Sequence, residues 1–125
     1  MRHDIRRALP VLPLLLVLAA CGTTAKDRRD AAGKAIYALR EARVALVAWD
    51  GAHQQGLARK EPLDAAKAAL ATHQARMAKL EHILGFTLTA LALAVTEPSI
   101  ANLSEATRLL IQAHAEIRAI RGDGQ

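Results

Sequence analysis

The sequence predicts an all-α protein, an up-down-up three-helix bundle with a long second helix, and three observations carry that expectation. The chain is 52% hydrophobic but only 2% aromatic. Its apolar content is therefore mostly Ala and Leu, strong helix formers, rather than the β-branched and aromatic residues that favour strands. Apolar residues recur in steps of three and four along three separate segments. Short stretches carrying Gly or Pro divide those segments, and short connections make successive helices antiparallel neighbours. At 125 residues the chain has room for one small domain.

The first element is not part of that bundle. Arg2, Arg6 and Arg7 form a positive head, Ala8 to Leu18 an apolar stretch with Pro10 and Pro13, and Leu18-Ala19-Ala20 a small-residue approach to Cys21, the only cysteine. This is the three-part layout of a secretory signal. The apolar stretch is too short for a spanning helix, which needs roughly twenty residues. Residues 1–20 thus read as a signal that is removed, 21–25 as a tether, 26–121 as the helical domain and 122–125 as a flexible tail.

Leu18-Ala19-Ala20-Cys21 resembles the lipobox of bacterial lipoproteins. The resemblance implies that Leu18, Ala19 and Ala20 are recognised by a signal peptidase. It also implies that Cys21 becomes the new N-terminus, with a diacylglycerol on its thiol and an acyl chain on its amine. A thiolate is a suitable nucleophile for such an alkylation. Acyl chains contribute about 0.8 kcal/mol per buried methylene, enough in pairs or triplets to hold a protein on a bilayer. In lipoproteins an Asp after the cysteine tends to retain the chain at the inner membrane. Gly22 stands there instead, so the expected place is the cell envelope, at an outer membrane and facing the periplasm.

With Cys21 acylated no thiol is left for a disulfide, and the fold must hold by packing. Removal of residues 1–20 leaves 14 basic against 11 acidic residues and lowers the net formal charge from +5 to +3. That mild excess, with only Tyr37, Trp49 and Phe86 to stack on bases, argues against nucleic acid as a partner.

The first helix is expected from the end of the tether, on the stripe Ala32, Ala35, Ile36, Leu39, Ala42, Leu46 and Trp49. Asp27 and Asp30 complement its N-terminal dipole, and either Asp50-Gly51 or Gln55-Gly56 ends it with a left-handed residue. Pro62 suits the first turn of the second helix, where its missing N–H has no partner anyway. Its stripe is Leu63, Ala66, Leu70, His73, Met77, Leu80, Leu84, Thr87, Leu91 and Ala94, stopped by Glu97-Pro98, for a length of about 50 Å. Either Ser99 or Asn102 caps the third helix, the latter in a box with Glu105. That helix carries Leu103, Ala106, Leu110, Ala113, Ile117 and Ile120, and Gly122 caps it after Arg118 and Arg121. The echo of "EARVA" in "QARMA" is too slight, in an Ala-rich chain, to mark a helical repeat.

Residues for catalysis are scarce, and no enzyme is expected. Ser99 and Ser104 lie near a helix start, where capping accounts for them. His73 and His114 fall on or beside apolar stripes, and packing of helices two and three is expected to bring them into one region. His82 follows His73 by nine residues rather than the three or four of helical metal ligands. No metal or cofactor is expected.

The most informative stretch is "ILGFTLTALALAVT", Ile83 to Thr96, fourteen residues without a charge. A surface helix normally shows one apolar stripe, so this segment is either covered on several sides or keeps a patch for something else. Counting back from Pro98 sets Ile83 and Leu84 near Leu110 and Ile111, and Leu91 near Leu103. The first helix is expected to run out before Leu91. The outer side, Phe86, Ala90 and Leu93, is then the candidate patch for a protein partner, a second copy or the bilayer.

The expected function is therefore that of a lipid-anchored adaptor assisting a membrane-associated assembly. Secretin pilotins are similar in general build. "ALVAWDGAH", Ala45 to His53, resembles small lipoproteins of phage and prophage, which implies superinfection exclusion or lysis. A self-associating structural lipoprotein is a further alternative.

Overall fold

The computed structural model describes residues 24–122. Within them lie three α-helices and no strand: α1 (Ala25–Ala58), α2 (Leu63–Thr96) and α3 (Ile100–Arg121). The predicted three-helix bundle is the observed architecture. α2 packs along both neighbours, whereas α1 and α3 approach each other at few points. Residues 1–20, expected to be a signal, Leu18 to Cys21, which resemble a lipobox, and the residues after Gly122 lie outside the described residues.

α1 opens with a capping box. Thr24 Oγ1 accepts from the Asp27 N–H at 3.1 Å and Asp27 Oδ2 accepts from the Thr24 N–H at 3.4 Å, so two donors without helical partners satisfy each other's termini. Neither expected glycine stop ends it: α1 runs through Gly51 and Gly56 to Ala58, and Arg59 caps it in the right-handed region. A glycine terminates a helix by turning left-handed. Here Trp49 packs half-buried against the core and Leu57 is buried, at 8% exposure, and that burial favours continuing the helix past both glycines.

The connection is correspondingly short, and Pro62 stands at the N-cap of α2, one position before its first turn. α2 ends where expected, at Thr96, with Glu97 leaving helical geometry before Pro98. At the α3 start the choice falls on Ser99, whose Oγ accepts from the Asn102 N–H at 3.1 Å. The box of Asn102 with Glu105 does not form: Asn102 Nδ2 donates to Glu97 O at 2.9 Å and Glu105 pairs with Arg108. Gly122 closes α3 at φ 71°, the left-handed cap expected of it.

Buried positions follow the predicted stripes closely. On α1 the smallest side chains do the packing, Ala32, Ala35 and Ala42 with Leu39 and Leu46, letting α2 approach. α3 buries its entire predicted stripe. On α2, Leu80, Leu84 and Leu91 are essentially inaccessible to solvent, while Leu63 at the start is exposed. Each such leucine contributes about 1.5–3 kcal/mol of apolar burial. Thr87 sits among them fully buried, its hydroxyl donating to Ile83 O at 2.7 Å, with Leu109 O of α3 at 3.4 Å.

The register is fixed by polar contacts on both sides of α2. Lys79 pairs with Glu116 at 3.5 Å on the α3 side, in agreement with the alignment counted back from Pro98. On the α1 side, Arg43 pairs with Glu81 at 2.7 Å, Arg29 Nε donates to Val95 O at 3.0 Å and Arg28 Nε to Pro98 O at 2.7 Å. α1 therefore does not run out before Leu91; it covers α2 to its last turn. The cause is the short α1–α2 connection, which moves the whole of α1 further along its partner than a stop at Gly51 would have done.

Candidate functional site

The C-terminal third of α2 is covered by α1 on one side and α3 on the other, and a third side remains open. Ile83, Leu84, Thr87, Leu91 and Ala94 face the core, and Ala90 is half-buried against it. Phe86 is 65% exposed and Leu93 47% exposed. Seven residues apart, they lie on one helical face with Gly85, Thr89, Ala92 and Thr96, all exposed. The candidate patch thus consists of the exposed Phe86 and Leu93, with Ala90 at its border.

The two threonines on this face present little polarity to the outside. Thr89 Oγ1 donates to Gly85 O at 3.0 Å, and Thr96 Oγ1 lies 3.1 Å from both Ala92 O and Leu93 O. Hydroxyls bonded back to their own helix leave their methyl groups to the surroundings. By length and composition α2 is the one described helix apolar enough to cross a membrane, and a third of its apolar window is buried inside the bundle.

A second cluster lies toward the other end, where α1 finishes and α2 begins. His73 is 6% exposed and its Nε2 lies 2.5 Å from Asp50 Oδ1. Asp50 Oδ2 accepts from Gln54 Nε2 at 2.7 Å, so both carboxylate oxygens are engaged. Four residues along from Trp49, the His53 ring stacks on the indole at 4.7 Å and stands 4.6 Å from the His73 ring. Arg121 of α3 lies 5.5 Å from the Trp49 ring centroid, a cation–π approach. An open groove of about 380 Å³ runs beside them, lined by His53, Leu57, Thr72, His73, Arg76 and Ile120 among others.

Burial and the neighbouring His73 hold the His53 ring below the usual imidazole range, Asp50 opposing them. Burial lowers His114 as well, with Arg118 adding to it, and His114 Nδ1 is buried without a hydrogen-bond partner. The expectation that His73 and His114 share one region is not met. The Lys79–Glu116 pair sets His114 level with Glu81, about 12 Å along α2 from His73, and the partners of His73 come from α1 instead.

This cluster can hold and orient protons, as a histidine with a buried carboxylate partner does. The nearest hydroxyl on the groove, Thr72, donates to Ala68 O of its own helix at 3.0 Å. Among the described residues no three His, Cys, Asp or Glu side chains converge as a metal ion would require. Sequence reasoning did not connect Trp49, Asp50 and His53, because it left the end of α1 open between Asp50-Gly51 and Gln55-Gly56. Once the helix continues, the spacing of four between Trp49 and His53 in "ALVAWDGAH" is the signal that stacks them.

No protein-family model, curated protein or solved structure matches the chain. The functional reading therefore rests on the chain's own residues.

Proposed function

We propose that this protein is a lipid-anchored, envelope-facing helical adaptor, which acts by binding rather than by catalysis. The observation that carries the reading is the uncharged face of α2 from Gly85 to Thr96, exposed at the same end of the bundle as Thr24. Thr24 follows Cys21 by three residues, and Arg29 joins that first turn of α1 to Val95 at the end of the exposed face. Acylation of Cys21 confines the bundle to a membrane and raises its effective concentration there, so that a modest contact surface is enough to engage a membrane-associated target.

The reading is tested on protein extracted from envelope membranes. Intact mass reports whether residues 1–20 are gone and Cys21 carries acyl chains. A photo-crosslinking residue at position 86 or 93 reports whether the face is occupied in the membrane, with position 44 on α1 as control. An unmodified thiol with the leader attached, or equal crosslinking from positions 86 and 44, overturns the proposal.

A further inference from the structure

We infer that the exposed face of α2 lies against the bilayer itself, so that acyl chains and helix face together make a two-point attachment that holds the bundle along the membrane surface. This assigns the face named above to the bilayer, which leaves the other surfaces of the bundle for the target, and it rests on acylation of Cys21.

Four observations select lipid as the occupant. The first is reach. Thr24 stands three positions after Cys21, a span of about 10 Å even fully extended, so an acylated Cys21 brings the first turn of α1 to the bilayer. The α2 end comes with it, through Arg28 on Pro98 and Arg29 on Val95.

The second is the composition of the face. Gly85, Phe86, Thr89, Ala92, Leu93 and Thr96 expose about 17 Å of helix without a charge. The third is that its only hydroxyls, on Thr89 and Thr96, already donate to carbonyls of their own helix. Water is not needed to satisfy them, and their insertion among acyl chains leaves no donor bare.

The fourth is charge. Between Ala65 and Thr96 the one carboxylate is Glu81, which Arg43 of α1 holds at 2.7 Å. Of the exposed cations N-terminal to the apolar face, Lys79 pairs with Glu116 and Arg76 lines the groove beside His73, which leaves Lys67 on the side of α2 that would meet an anionic lipid surface. A second copy is disfavoured by size, since Phe86 and Leu93 are the only large side chains on the face and stable interfaces need about 800 Å² per partner.

The geometry also yields a clean probe. Acylation consumes the single thiol of the chain, so in the acylated full-length protein Phe86→Cys and Leu93→Cys each supply the one site for a nitroxide. The labelled proteins, and a Val44→Cys control exposed on α1, are reconstituted into phosphatidylethanolamine/phosphatidylglycerol vesicles. Collision with oxygen, which concentrates in lipid, is compared with collision with a water-soluble nickel chelate. The expected result is an oxygen-to-nickel ratio severalfold higher at positions 86 and 93 than at 44.

Equal ratios at all three positions overturn the inference, as do labels at 86 and 93 shielded from both reagents, which would assign the face to a second copy. Intact mass of the same samples separates the two levels of the argument. An acylated Cys21 with a water-exposed face removes only the membrane contact, whereas a free Cys21 thiol removes the anchor as well.

Discussion

Asp50 of α1 and His73 of α2 meet 2.5 Å apart at a largely buried position, the innermost polar contact between the two long helices. Removing one member leaves the other buried without its partner. Asp50→Ala is therefore expected to destabilise the fold by about 1–3 kcal/mol, read as a shift in urea-unfolding midpoint by circular dichroism. Asp50→Asn keeps an acceptor for His73 and should cost less. Equal losses in the two variants would mean that the carboxylate charge, not the hydrogen bond, holds the pair.

Stability is expected to fall as the medium is acidified. His53 and His114 are both held below the ordinary histidine value of 6.5 by burial, so the folded chain binds fewer protons there than the unfolded one. Their contribution is complete above that value and is lost as pH drops from about 6.5 through the lowered folded values. Thermal unfolding between pH 7.5 and 5 measures it. The slope should be shallower in His53→Gln, because one of the two groups is then gone.

Neighbouring leucines on α2 should respond in opposite ways. Leu91 is fully buried and Leu93 is 47% exposed. Leu91→Ala is expected to cost about 2–5 kcal/mol, and Leu93→Ala no more than about 0.5 kcal/mol. Denaturant titration of the two variants under one set of conditions compares them directly. A large loss at Leu93 would show that its face is covered within the molecule.

The small-residue seam of α1 should resist enlargement. Ala35 has no exposed surface and belongs to the central core, so Ala35→Leu is expected to cost about 1–3 kcal/mol by overpacking. Ala48, exposed on the same helix, is the control, and Ala48→Leu should be close to neutral. Thermal midpoints of the pair give the answer.

Capping chemistry at α3 separates two serines and an asparagine. Ser99→Ala removes the acceptor for the Asn102 N–H and should cost about 0.5–2 kcal/mol. Ser104→Ala lies on an exposed turn and should be almost silent. Hydrogen exchange at Asn102 shows whether the loss is local to that first turn.

Much of this fold was legible because the information is periodic. The α3 stripe from Leu103 to Ile120 and the α2 stripe through Leu80, Leu84 and Leu91 are written in steps that only a helix can align on one side. Helix ends were less legible. Gly51 and Gly56 look like stops, yet glycine permits a left-handed turn without compelling one, and the burial of Leu57, a tertiary contact, decided the outcome. The same tertiary fact hid the Trp49, His53 and His73 cluster, whose members lie on two helices. The exposed face of α2 was visible as an uncharged stretch, but which of its residues pointed outward depended on where α1 ended. Thr89 and Thr96 gave no sign in sequence of bonding back to their own helix.

Arg28 and Arg29 sit at the start of α1, where positive charge opposes that helix's own dipole, and reach instead to carbonyls at the end of α2 and the turn beyond it. Their placement has a mechanical meaning. Tension arriving along the chain at residue 24 is shared at once with α2 and the turn into α3, and it loads α1 lengthwise against its neighbour. Two helices pulled in that direction must shear many contacts together, whereas peeling would break them one at a time, so the bundle resists tension at residue 24 best along the axis of α1.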